Sequence, residues 1–159
     1  MKRMVVVCLV FLAAALTAQA QIDKKSFYSA LSSGQEEAID KVLSKLESEK
    51  SSPKVNAYKG ALTMKKAGFV KGVKSKLKTF KEGAHLLEDE IKTSPANTEF
   101  RFLRLTIQEH APGILNYNKE IDDDKHAILS GYAKLDSELK NVIADYAKDS
   151  KVLKGSDLR

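Results

Sequence analysis

The chain has 159 residues, 43% hydrophobic and 30% charged, with one cysteine and no tryptophan. That bounds a single small domain, too apolar for a wholly disordered chain and too charged for a protein of several membrane spans. Its 27 basic and 21 acidic residues give a net charge of +6, so the distribution of charge matters more than its total.

Lys2 and Arg3 open the chain, Met4 to Leu16 run without a charge, and Ala18 and Ala20 form the small-x-small pattern of a signal-peptidase site. Residues 1–20 therefore read as a secretory signal peptide, cleaved before Gln21. The apolar run is shorter than the roughly 20 residues a spanning helix needs; the alternative is an uncleaved N-terminal anchor. Cys8 lies inside the run rather than after a cleavage box, which argues against a lipid-anchored lipoprotein. From Gln21 onward there is no cysteine, so disulfides, thiol nucleophiles and cysteine-held metals are excluded there. With Lys2 and Arg3 gone, 25 basic and 21 acidic residues leave +4. The expected location is the periplasm or the outside of the cell.

Beyond residue 20, period-2 alternation is missing and helical spacing is found nearly throughout. The expected fold class is all-α. The first helix is predicted over Asp23–Ser32, with Phe27, Ala30 and Leu31 inward. Ser33-Gly34-Gln35-Glu36 has the spacing of a capping box and predicts a fresh start. The second helix runs to about Glu49 on a stripe of Ala38, Ile39, Val42, Leu43 and Leu46. Ser51-Ser52-Pro53 predicts a turn with proline at the next first helical position. The third helix carries Val55, Tyr58, Ala61 and Leu62 and ends near Gly68, before a connector over Phe69–Gly72.

The fourth helix has Val73, Leu77, Phe80, Ala84, Leu87 and Ile91, spaced alternately four and three apart, the most regular stripe in the chain. Gly83 inside it costs about 1 kcal/mol against alanine, unless a neighbouring helix needs the close approach. The fifth helix, Thr98–His110, is apolar on both sides, which belongs in the middle of a domain. Pro112-Gly113 breaks it. A sixth helix is predicted from near Asn118. A seventh is capped by Asp136, with Leu139, Val142, Ile143 and Tyr146 inward, and residues 154–159 are expected to fray. The expected architecture is about seven helices in antiparallel pairs over residues 21–153, either a short solenoid or a compact bundle.

Phe80-Lys81-Glu82-Gly83-Ala84-His85-Leu86-Leu87, followed by Ile91 to Asn97, resembles the second helix of a tetratricopeptide repeat. Gly83, Leu87 and Pro95 match its small, large-apolar and closing-proline positions, and Ala57-Tyr58-Lys59-Gly60-Ala61-Leu62 looks like the preceding first helix. Glu90 stands where the pattern has alanine, and the connector around Gly68–Gly72 is longer than the standard turn. The match covers one degenerate repeat, residues 54–97. Through Tyr58–Ala67, Lys76–Ile91 and Glu99–Glu109 the chain also resembles a family of uncharacterised exported proteins of Gram-negative bacteria. The resemblance implies a periplasmic or secreted helical protein, and tetratricopeptide folds bind other proteins through a concave face.

From Lys50 to Lys81 there are ten lysines and no acidic residue. Lys71, Lys74, Lys78 and Lys81 form a candidate basic face for anionic envelope lipid or an acidic protein; the alternative is a solvated face. Nucleic acid is not an expected partner of an exported chain with few arginines. In the fourth helix lysines crowd the first half and Glu88, Asp89 and Glu90 the second, the reverse of what the helix dipole prefers. Arg101, Arg104 and Gln108 share one face of the fifth helix. Arginine presents a rigid fork for carboxylates and phosphates. With Tyr117 beside them they form a candidate partner-binding groove; the alternative is internal salt bridges to Glu88, Asp89 or Glu90.

His85/Asp89 and Asp122/His126 are spaced four apart, but metal sites usually need three protein ligands. The acidic run Glu120–Asp124 lacks the spacing of a calcium loop and falls in the first turns of a helix, where acids favour the dipole. No nucleophile elbow, P-loop, dinucleotide glycine motif or double-histidine zinc motif is present. No catalytic residue, metal or cofactor is expected. The expected function is an exported, non-catalytic protein-interaction or assembly module whose partner is another protein or peptide. The alternative is a periplasmic protein that binds an anionic lipid or envelope surface through residues 50–81.

Overall fold

A computed structural model describes residues 23–158. The expected signal peptide and Cys8 lie outside them. The described residues are all-helical: α1 (Lys24–Ser33), α2 (Glu36–Ser48), α3 (Pro53–Lys66), α4 (Val73–Thr93), α5 (Thr98–His110), α6 (Ile121–Gly131) and α7 (Ser137–Ala147), with three single 3-10 turns.

Local chemistry sets most of these boundaries. The Asp23, Ser52, Asn97 and Asp136 side chains accept backbone N–H bonds at the starts of α1, α3, α5 and α7. Pro53 occupies the first position of α3, where its missing N–H loses nothing. The expected capping box at Ser33 does not form. Ser33 is the last helical residue of α1, so it cannot take the extended backbone an N-cap needs. Gly34, left-handed at φ 63°, ends α1 instead. The α2 helix starts after Gln35 without a side-chain cap, and Glu36 and Glu37 in its first turn favour the dipole.

The sixth helix begins at Ile121, later than expected. A 3-10 turn at Gly113–Leu115 and a left-handed Asn116 (φ 49°) turn the chain before it can start. The C-terminal residues lie against the fold over 153–158. Leu153 is fully buried, Gly155–Asp157 form a 3-10 turn, and Asp157 pairs with Lys125 at 3.2 Å.

The core runs through α5, whose Phe100, Phe102, Leu103, Leu105 and Ile107 are all buried. At one end Phe27 of α1 stacks on Tyr58 of α3, ring centroids 3.6 Å apart. The α3 and α4 helices meet backbone to backbone. A Cβ added to Gly60 would lie 2.7 Å from the Gly83 carbonyl oxygen, and one added to Gly83 would lie 2.6 Å from that of Gly60. The close approach is the reason a glycine sits inside α4.

The regular stripe of α4 is only partly covered. Phe80, Leu87 and Ile91 are buried, whereas Val73 is 84% and Leu77 39% exposed. Every residue from 71 to 78 is exposed, so the first turns of α4 extend past their neighbours. Periodicity finds which residues share a face; it does not find where the partner helix stops.

Candidate functional site

The α5 face that carries Arg101, Arg104 and Gln108 is turned toward α6 and α4. Arg104 is 5% exposed, and its Nε and Nη2 donate to the two oxygens of Asp124, each at 2.7 Å. This is a planar fork on a carboxylate that has no exposed surface. Arg104 Nη1 donates to Glu88 at 2.7 Å, and Tyr117 Oη donates to the other oxygen of Glu88 at 2.7 Å. Arg101 donates to Asp124 at 2.9 Å and to the Pro95 carbonyl at 2.8 Å. Gln108 Nε2 donates to Asp124, and its Oε1 accepts from the Glu120 backbone N–H at 3.1 Å.

Two arginines and two carboxylates balance in charge, and each side chain of the cluster serves another element of the same chain. Burial opposes the charge on Arg104, but Asp124 and then Glu88 outweigh it and hold its guanidinium above its ordinary value. Burial, then the Glu88 charge, pushes the Tyr117 hydroxyl up as well. Of the three acids expected opposite the arginines, only Glu88 joins. Asp89 lies beside His85 and Lys92, and Glu90 accepts from Asn56.

The principal partner, Asp124, sits in the acidic run assigned to the helix dipole. Its signal was present: Ile121, Asp124 and Ile128 are three and four apart, which puts the carboxylate on the inward stripe of α6.

A cleft opens on the other side of α5. Its volume is about 470 Å³, and Tyr28 and Leu31 of α1, Phe102 and Ile107 of α5, and Val142 and Tyr146 of α7 give its apolar lining. Lys65 of α3, His110, Asp145 and Asp149 supply charged and polar groups to it. The aromatic lining is fixed in place. Tyr146 meets Phe102 edge-on, with centroids 5.4 Å apart. The Tyr28 hydroxyl donates to Glu99 at 3.0 Å, and the Tyr146 hydroxyl donates to Glu109.

Glu109 also accepts from Ser150 and from the backbone N–H of Lys151, which straps the segment after α7 onto α5. Burial pushes the Glu109 carboxyl up, but these donors outweigh it and hold the group below its ordinary value. Thr106 Oγ1 donates to its own helix, and His110 Nδ1 lies 2.9 Å from the Thr106 carbonyl, an oxygen that can only accept. Asp145 pairs with Lys148 at 2.6 Å, whereas Lys65 has no ion-pair partner among the described residues. The sequence places Phe102 and Tyr146 on apolar helix faces, and the cleft along them forms only once the helices are assembled.

Lys71, Lys74, Lys78 and Lys81 are all exposed. Lys78 approaches Glu82 at 3.8 Å, and Lys76, between them, donates to the Gly68 carbonyl. Among the described residues no three His, Cys, Asp or Glu side chains gather as metal ligands, and no helix is long and apolar enough to cross a membrane. No protein-family profile, curated protein or solved structure matches the chain.

Proposed function

We propose that the chain is an exported, non-catalytic protein-interaction module built of tetratricopeptide-like helix pairs, and that it holds a peptide segment of a partner in the cleft beside α5. The observation that carries this reading is the composition of the cleft: apart from Asp149 and Ser150, just past α7, its lining comes from α1, α3, α5 and α7, every other helix in chain order. Stacked helix pairs present the first helix of each pair on one concave side. The α3–α4 contacts support the pairing. Asn56 reaches Glu90, Gly60 lies on Leu87, and Gly83 lies on Met64, so the register descends along α4 as it rises along α3.

The lining chemistry names the occupant. An apolar side chain fits among Tyr28, Phe102 and Tyr146, an acidic group pairs with the unpartnered Lys65, and a basic group pairs with Asp149. A dipolar segment of this kind is a peptide rather than a lipid tail. The test is selection of binders from a random peptide library by the full chain. Enriched peptides should carry an apolar anchor next to charges of both signs. Thr106→Trp, which fills the cleft from a half-buried position, and Asp149→Lys should each weaken them about tenfold, equivalent to roughly 1.4 kcal/mol. No enrichment, or equal binding by both variants, would overturn the proposal.

A further inference from the structure

We infer that the exposed first turns of α4 form a second, independent docking element, which lies on an anionic membrane surface. Three large apolar side chains are exposed among the described residues, Val73, Leu77 and Ile114. Val73 and Leu77 are one turn apart at the open end of the α4 stripe. Ile114 belongs to the connector whose Tyr117 packs edge-on against Phe80, the next residue of that stripe, with centroids 5.1 Å apart.

Charge surrounds this apolar strip on both flanks. At about 3.6 residues per turn, Lys76 falls on one side of Val73 and Leu77, and Lys74, Lys78 and Lys81 fall on the other. Lys71 precedes the helix, and no acidic residue occurs between Lys50 and Lys81. An apolar strip bordered by lysines is the arrangement that lies in a lipid interface. The strip enters the acyl boundary, and the flexible lysine stems reach up to the phosphates.

Helix stability does not account for it. Lysines in the first turns oppose the helix dipole, Gly72 provides no side-chain cap, and Val73 gains nothing from packing at 84% exposure. An acidic partner protein would match the lysines but gives no reason for the apolar strip between them. The short strip and the absence of a spanning helix among the described residues make the contact peripheral and salt-sensitive.

The experiment is co-sedimentation of the full chain with vesicles of phosphatidylcholine alone or mixed with phosphatidylglycerol, at low and high salt. Mixed vesicles should bind the protein, neutral ones should not, and added salt should release it. Each lysine near such a surface is worth roughly fivefold in affinity, so Lys74→Glu/Lys78→Glu should weaken binding by more than about tenfold. Val73→Ser/Leu77→Ser should weaken binding to the mixed vesicles too. The changed side chains are exposed, so the thermal midpoint of both variants should match the parent, which separates lost docking from lost folding.

Residues 1–20 are common to all variants, so a contribution from them cancels when variants are compared on the same vesicles, and the salt-releasable part of binding isolates the lysines. Binding to neutral vesicles as strong as to mixed ones would overturn the inference. So would unchanged binding by both double variants, or release by free glycerol phosphate at concentrations matching the lipid phosphate. The cleft variant Thr106→Trp should bind vesicles like the parent, so failure here is distinguishable from failure of the peptide-binding proposal.

Discussion

Arg104 and Asp124 meet as a two-point fork, Nε to Oδ2 and Nη2 to Oδ1, both at 2.7 Å, on a carboxylate with 0% exposure. Arg104 then reaches Glu88 with its remaining nitrogen, so one side chain of α5 fixes the seating of both α6 and α4. A buried pair of this kind gives little net stability over a well-packed apolar substitute, because desolvation offsets the attraction. Its directionality sets register.

Asp124→Ala should therefore be far more damaging than its size suggests. It leaves Arg104 and Arg101 with Glu88 as the remaining carboxylate of the cluster. Removing one partner of a buried pair costs about 3–5 kcal/mol. The double change Arg104→Met/Asp124→Leu removes the most buried pair together and refills the space, and should recover part of that loss, because Arg101 and Glu88 lose a partner but keep contact with solvent. Urea unfolding of the three proteins checks both statements. A single variant within about 1 kcal/mol of the parent would show that the pair is solvated.

Glycine to alanine inside a helix normally gains about 1 kcal/mol. At Gly60 and Gly83 the sign should reverse, because the new Cβ would lie under 3.0 Å from backbone atoms of the facing helix, which cannot swing aside. Overpacking of this kind costs about 1–3 kcal/mol. Gly113→Ala, where a Cβ meets open space, is the control. Thermal midpoints should fall for the two helical sites and hold for the control.

The helices were legible because their stripes and caps are local. Ser52-Pro53, Asn97 and Asp136 announce helix starts through side chains that reach three residues ahead. The centrality of α5 was legible from its two apolar sides. Partner identity was not, since Arg104 could choose among acids on either neighbouring helix, and the choice depends on how α6 is seated. Asp124 was readable from its place between Ile121 and Ile128, but three consecutive aspartates look like a solvated run. The bare start of α4 and the cleft beside α5 both depend on where neighbouring helices end, and no single-helix pattern carries that information.

Glu109 should shape the acid limb of stability. Its carboxyl is held below its ordinary value of 4.5 by Tyr146, Ser150 and the Lys151 backbone, against the opposing effect of burial. A group that is more acidic in the folded state contributes stability that is complete above 4.5 and is lost as pH falls through the lowered value. Glu109→Gln should flatten the dependence of the urea midpoint on pH below 4.5 relative to the parent, while Asp23, Asp136 and Asp157 keep the remaining slope in both proteins. Parallel curves for the two proteins would contradict the strapping role.

Four tyrosines carry much of the alkaline limb, beside Lys24, where burial opposes the charge but Asp136 outweighs it and holds the ammonium above its ordinary value. Tyr28 and Tyr58 both donate to Glu99, Tyr117 donates to Glu88, and Tyr146 donates to Glu109. Burial first, and the neighbouring carboxylate second, raise each hydroxyl above its ordinary value of 10. Ionising any of them would set a phenolate against a carboxylate with no donor between them. In the unfolded chain they ionise near 10, so their contribution is complete below that pH and is lost as pH rises above it. Phenolate absorbance from these four should therefore rise together with the loss of helical circular dichroism, in one step. Glu99→Gln keeps an acceptor for Tyr28 and Tyr58 but removes the charge. It should bring their ionisation to lower pH, still above 10, because burial remains when the carboxylate is gone. Phenolate appearing near pH 10 with helix content intact would mean that these rings are not held as the structure has them.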